Sequence, residues 1–183
     1  MRHSLLALGV VVATCALAGC GSSPRPRAWL SLEEAAGAPG DTVTVNLRYR
    51  ADTPLWRVDA CIAHDPKVLR LVDAELGEYK DVDTDSFSGW TDDPASGWVF
   101  YVRDNAESSS ERETFPADTE FTIGRLVYEV LPDAPAGPTD LRFQNRIGEP
   151  TDARNRVLDV AEEPAILTTV DGSIQIDSGV TNR

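Results

Sequence analysis

Apart from its carboxylates, this chain carries few side chains that could do chemistry. Asp81, Asp83, Asp85 and Asp92 alternate with other residues at spacings that resemble a calcium loop. Ser86 stands where such a loop needs a glycine for its sharp turn, and Asp92 replaces its bidentate glutamate. A solvated acidic loop is therefore the preferred reading over calcium, and no cofactor is expected. Of the two histidines, His3 lies near the N-terminus and His64 precedes Asp65-Pro66; neither has triad or metal-ligand spacing. Cys61 sits inside a strand pattern without a nucleophile context and reads as a small packing residue. No pair of acids stands out as a glycosidase pair would, and no glycine loop could cradle a phosphate. Trp98 shares parity with Phe100 and Val102, and Trp56 leads into Val58, Ala60 and Ile62, so both are expected in the core. Trp90, in Ser86-Phe-Ser-Gly-Trp90, is the tryptophan expected to be partly exposed and is the candidate carbohydrate contact. A catalytic function is not expected.

The elements that hold these residues are strands. In Pro39-Gly-Asp-Thr-Val-Thr-Val-Asn-Leu-Arg-Tyr49 a turn launches a segment in which Val43, Val45, Leu47 and Tyr49 alternate with polar residues, so one face is buried. Further strands are expected at 29–32, 56–63 and 67–72, the second ending where His64-Asp-Pro66 removes an amide proton. Others are expected at 97–102, 121–131, 139–143, 157–160, 166–170 and 173–176. In 121–131, Leu126, Tyr128 and Val130 face one way, and Arg125, Val127 and Glu129 the other. Residues 33–40, 79–94 and 104–116 read as loops. About nine strands separated by Gly, Pro and Asp turns imply an all-β, antiparallel two-sheet sandwich of jelly-roll type.

The 183 residues include 17 Lys and Arg against 30 Asp and Glu, a formal net charge of −13. Such a surface repels nucleic acid and anionic headgroups, so no nucleic-acid partner is expected. Residues 1–19 read as a secretory signal, with an apolar run too short to span a bilayer as a helix. Leu17-Ala-Gly-Cys20 resembles the lipobox of bacterial lipoproteins, which implies a lipid on Cys20 and attachment to a membrane through that lipid alone. Gly21 follows in place of the aspartate that retains such proteins in the inner membrane. The expected location is the cell envelope, at the outer membrane or cell surface. Residues 20–28 form a tether, 29–177 the sandwich and 178–183 a tail. With Cys15 in the signal and Cys20 lipidated, Cys61 has no disulfide partner.

Five motifs recur in an order that resembles the cohesin family. They are Pro39-Gly-Asp-Thr-Val-Thr-Val45, His64-Asp-Pro-Lys-Val-Leu69, Gly97-Trp-Val-Phe-Tyr-Val102, Gly124-Arg-Leu-Val-Tyr-Glu-Val130 and Asp171-Gly-Ser-Ile-Gln-Ile176. The likeness covers roughly residues 30–176, and His64 departs from the family's usual tyrosine. It implies a nine-stranded jelly roll related to carbohydrate-binding modules, and a non-catalytic role. The expected partner is a calcium-loaded dockerin-like protein module docked on one sheet face. Carried over by position, the outward set is Arg57, Asp59, Cys61 and Ala63, with Tyr101 and Asp104 on the neighbouring strand. On such a face Asp59 offers an acceptor and Tyr101 an aromatic anchor to a helical partner. Arg57 and Cys61 differ from what members of the family carry there. Polysaccharide binding is the alternative, and a purely structural envelope lipoprotein the third reading.

Overall fold

The computed structural model describes residues 24–77, 88–104, 106–108, 111–112, 114–146 and 153–178. The chain runs through β1 (Arg27–Leu32), β2 (Ala35–Gly37), β3 (Thr42–Ala51), β4 (Arg57–Ala63), β5 (Leu69–Leu76), β6 (Ser88–Asp93) and β7 (Trp98–Asp104). It continues through β8 (Ala106–Ser108), β9 (Glu111–Arg112), β10 (Phe121–Val130), β11 (Gly137–Phe143), β12 (Arg156–Leu158), β13 (Ile166–Val170) and β14 (Gly172–Ile176). Among the described residues there is no α-helix. Five strands form one sheet in the order β13-β1-β3-β10-β5. A second follows β2-β14-β11-β4-β7-β6, with β12 also on β4, while β8 and β9 pair apart.

The two large sheets pack face to face. Val45 and Leu47 of β3 and Leu126 and Tyr128 of β10 enter the core from one side; Val58, Ala60 and Ile62 of β4 and Val99 and Tyr101 of β7 enter from the other. The alternation read along β3 and β10 is the alternation observed, with Arg125, Val127 and Glu129 on the outer side. Tyr49, Phe115 and Phe121 close one end, their ring centroids 5.2–6.0 Å apart. Burying each large apolar side chain of this set contributes about 1.5–3 kcal/mol.

Four departures from the expected pattern have local causes. Both sheets are mixed, because β13 runs parallel to β1 and β14 parallel to β2. Ala35–Gly37, expected in a loop, forms β2 by borrowing the ladder of β14. Ser88–Asp93 is strand β6, although its glycine and aspartates read as irregular; β7 supplies its whole ladder. The 104–116 stretch contains the short β8–β9 pair. The β6–β7 turn depends on Gly97, whose φ is +66°, and a Cβ there would lie 2.1 Å from the His64 carbonyl oxygen.

The outer face of β4 and β7

β4 is buried along nearly its whole length, on both faces. Val58, Ala60 and Ile62 point into the sandwich, whereas Asp59 and Cys61 point away from it yet are also covered. Register fixes what stands beside them: Arg57 faces Asp104, Asp59 faces Val102, Cys61 faces Phe100, and Ala63 faces Trp98. Residues directly opposite share a face, so Trp98, Phe100, Val102 and Asp104 are on the outer side. Trp98 and Val102 are buried as expected, Phe100 only partly, but they lie on the outer side under the later strands and not inside the sandwich, so the parity of β7 is the reverse of the expected one. Tyr101 is corrected likewise: it is an inward residue, 1% exposed, whose hydroxyl donates to the Ile123 carbonyl at 2.9 Å. Burial pushes its phenol up to about 12. Gly124 passes beneath the ring, and a Cβ there would lie 2.7 Å from Tyr101 Cζ.

The cover over β4 comes from the late part of the chain. β11 bonds the β4 edge through Arg142 and Phe143, and β12 returns to the same edge through Arg156, Val157 and Leu158. Between them the chain makes an excursion pinned at both ends on one residue. The Gln144 amide donates to the Cys61 carbonyl at 3.0 Å, and the Cys61 amide donates to Asn155 Oδ1 at 2.6 Å. Arg146 and Ala153 pair through two backbone bonds, and Ala153 packs against Cys61 and Trp98.

Two charged groups result. At one end Asp59 accepts from Arg57 Nε at 2.7 Å and, through its other oxygen, from Arg156 Nε. The Asp59 side chain is 1% exposed, so the two guanidinium groups hold a carboxylate out of water. At the other end the Arg146 guanidinium lies 4.9 Å from the Trp98 ring centroid and donates to Asp93 at 3.1 Å. The Ser96 hydrogen bonds and then Arg146 hold the Asp93 carboxyl below its ordinary range. Phe100 stacks on Trp98 at 6.0 Å and 10° between planes, and is only partly covered. Arg146, Trp98, Asn145 and Gln144 border a hollow of about 220 Å³.

Of the six residues expected to face a partner, Arg57 and Ala63 are half-buried and open to approach. Asp59 and Cys61 lie on the expected face but beneath it, Asp104 is buried opposite Arg57, and Tyr101 belongs to the core. Sequence reasoning missed Arg146, Arg156, Phe100 and the cover at Ala153. A readable signal existed: Asn145-Arg146 and Asn155-Arg156 repeat one dipeptide at the two ends of the excursion.

Burial shifts two titratable groups near this face, Cys61 and His64. Burial, followed by the Asp59 charge, pushes the Cys61 thiol up to about 12, so it is not a nucleophile at neutral pH. Burial lowers His64 to about 4 against the opposing pull of Asp65 and Asp92, leaving a neutral ring set edge-on to Tyr128. Trp90 is 39% exposed on β6. The calcium-loop candidates, for which a solvated acidic loop is the preferred reading, fall mainly outside the described residues, since Asp81, Asp83 and Asp85 are not among them, and Asp92 belongs to β6. Among the described residues no group of three His, Cys, Asp or Glu side chains could hold a metal.

The same fold occurs in solved proteins. A chain of a type I cohesin–dockerin complex from Clostridium thermocellum superposes with a TM-score of 0.67 at 16% identity, covering 82% of this chain and 99% of that one. The fold is that of cohesin domains. A cohesin of Clostridium acetobutylicum matches at 20% identity and a TM-score of 0.63, over 85% and 94% of the two chains. A non-cellulosomal cohesin from the archaeon Archaeoglobus fulgidus gives 12% identity and 0.61, over 84% and 94%. No protein-family model matches the sequence, and no curated protein matches it.

Proposed function

We propose that this chain is a non-catalytic binding module, lipid-anchored through Cys20 outside the cytoplasm, that receives a dockerin-like protein module on the outer face of β4, β7 and β12. The observation that carries the reading is the face itself. Its centre is rigid, because Asp59 ties Arg57 of β4 to Arg156 of β12. Around that centre Arg57, Ala63, Phe100 and Arg156 remain open to contact. Arginine and aromatic side chains are enriched in protein–protein interfaces. Asp59 positions the two guanidinium groups, Cys61 packs beneath Trp98 and Ala153, and Asp104 flanks Arg57; Tyr101 supports the face from below. Solved complexes of the same fold pair a cohesin with a dockerin.

The test is calorimetric titration of the chain with calcium-loaded dockerin-like modules from the same genome, comparing wild type with Phe100→Glu/Ala63→Arg, which leaves the arginines on Asp59 in place. Both positions are partly solvent-accessible, so circular dichroism should show an unchanged fold. The expected result is at least a tenfold loss of affinity, or about 1.4 kcal/mol; equal affinity of both proteins would refute the choice of face. Polysaccharide binding keeps one favourable observation, the exposure of Trp90. It predicts retardation in polysaccharide gels that Trp90→Ala abolishes. Mass spectrometry of the mature N-terminus checks the anchor, with a diacylglyceryl group expected on Cys20.

A further inference from the structure

Four strands stand at the ends of the two large sheets, and three of them are guarded. β5 carries Arg70, Asp73 and Glu75 and has a register break against β10. β6 carries Asp92 and Asp93 and runs into Pro94, and β2 is only three residues long. Charges, bulges, proline and brevity are the usual means by which an edge avoids pairing. β13 has neither charge nor bulge, and among the described residues its edge is held only at its ends, where the Ala165 amide bonds Val157 of β12 and the Phe143 amide of β11 bonds Asp171 Oδ1. Its sequence, Ile166-Leu-Thr-Thr-Val170, holds no charge and no proline, and it pairs with β1 in unbroken register. Ile166 and Val170 are 49% and 56% exposed.

The outer side of this strand is also self-complementary. Ile166, Thr168 and Val170 lie opposite Arg27, Trp29 and Ser31 of β1, so they share the outer face, while Leu167 turns toward the core. The Ile166 amide bonds toward β1, at Pro26, and the Ala165 amide bonds the other way, to Val157. By that alternation the amide and carbonyl groups of Leu167 and Thr169 point off the sheet. Beside them lies a hollow of about 240 Å³ lined by Phe143, Asn145, Asn155, Leu167 and Thr169.

We propose that β13 is a homodimer edge, pairing antiparallel with β13 of a second copy about a two-fold axis through Thr168. In that register Leu167 and Thr169 exchange backbone hydrogen bonds with Thr169 and Leu167 of the second copy. Ile166 stands opposite the second copy's Val170, and Thr168 faces its own equivalent; both are close, non-hydrogen-bonded positions. The strand ends match in charge. Arg25, whose Nη2 donates to the Pro164 carbonyl at 3.1 Å, lies at the start of β13, and the exposed Asp171, whose Oδ1 accepts from the Phe143 amide at 2.8 Å, follows its end. Antiparallel pairing brings the Arg25 of each copy to the Asp171 of the other. A foreign peptide would not need this symmetry, which is why a second copy is the occupant. The two five-stranded sheets would join into one of ten, leaving the outer faces of both seven-stranded sheets free.

The experiment uses the full chain in cells, with Thr168→Cys as the reporter, because directly opposed close positions about 4.5 Å apart at Cα can form a disulfide. Mild oxidation should give a cross-linked dimer on non-reducing gels, and Thr44→Cys, on an outward position of β3, should not. In the Thr168→Cys background, Ile166→Lys alone should cut the dimer about tenfold, the equivalent of about 1.4 kcal/mol. Val170→Glu alone should do the same. Both changes in one chain should restore it, because the introduced lysine of each copy then meets the introduced glutamate of the other. Dimer no more abundant than with Thr44→Cys, cross-links to a different protein, or no rescue by the double change would each overturn the proposal.

Discussion

Replacing both Arg57 and Arg156 with alanine would strip the Asp59 carboxylate, 1% exposed in the intact fold, of both its cations. Breaking a buried ion pair from one side costs about 3–5 kcal/mol, because the desolvated charge loses its compensation. Arg57 and Arg156 are 25% and 47% exposed, so solvent screens part of their attraction, and the lower end of that range is the expectation here. In a chain of this size about 3 kcal/mol lowers Tm by about 6–12 °C. The reciprocal change, Asp59→Leu, should cost much less, about 1 kcal/mol, since both guanidinium groups can turn to water. Thermal unfolding followed by circular dichroism, in low and in 0.5 M salt (roughly a 4 Å screening length), measures both variants. The order is the decisive quantity, and salt should change the double-arginine loss little because the carboxylate is covered. A double-arginine variant as stable as Asp59→Leu would refute the claim that Asp59 is a buried charge kept in place by its partners.

Two further outcomes follow from the core. His64 is neutral in the fold with a pKa of about 4, whereas an unfolded histidine titrates near its ordinary value of 6.5. Its contribution is therefore intact above pH 6.5 and lost as pH falls toward 4, because the unfolded chain takes up the proton first. Urea unfolding should show about 2 kcal/mol of extra loss between pH 7 and pH 5 relative to His64→Phe; parallel profiles would mean the imidazole is not shielded from water. Gly124→Ala should cost about 1–3 kcal/mol through overlap with the Tyr101 ring, and less than half of that in a Tyr101→Leu background. Equal costs in the two backgrounds would mean that ring and glycine do not touch.

Where one face of a strand is wet, the sequence shows which way the side chains turn. β3 and β10 alternate apolar with polar residues, and their orientation is legible from Val43 to Tyr49 and from Leu126 to Val130. β7 is apolar on both faces, so Trp98-Val-Phe-Tyr-Val102 has no period-2 signal, and its parity follows only from Asp59 standing opposite Val102. Asp59 itself reads as a surface residue until Arg156, 97 positions later, is brought beside it. β6 was hidden for another reason. Ser88, Gly89, Asp92 and Asp93 favour turns, and an edge strand held by a neighbour's ladder needs little propensity of its own. Trp90 kept its expected partial exposure because it lies on that edge.

The excursion between β11 and β12 leaves and rejoins a single ladder, with both of its ends fastened to the backbone of Cys61. What lies between those fasteners can change in length without shifting the register of either strand, since closing a longer loop adds only about 0.6 kcal/mol per doubling. The protein thus contains a natural grafting slot whose two ends, Arg146 and Ala153, lie beside the outer face of β4 and β7. A recognition peptide spliced between Arg146 and Ala153 would be displayed there on a scaffold that need not be redesigned to hold it.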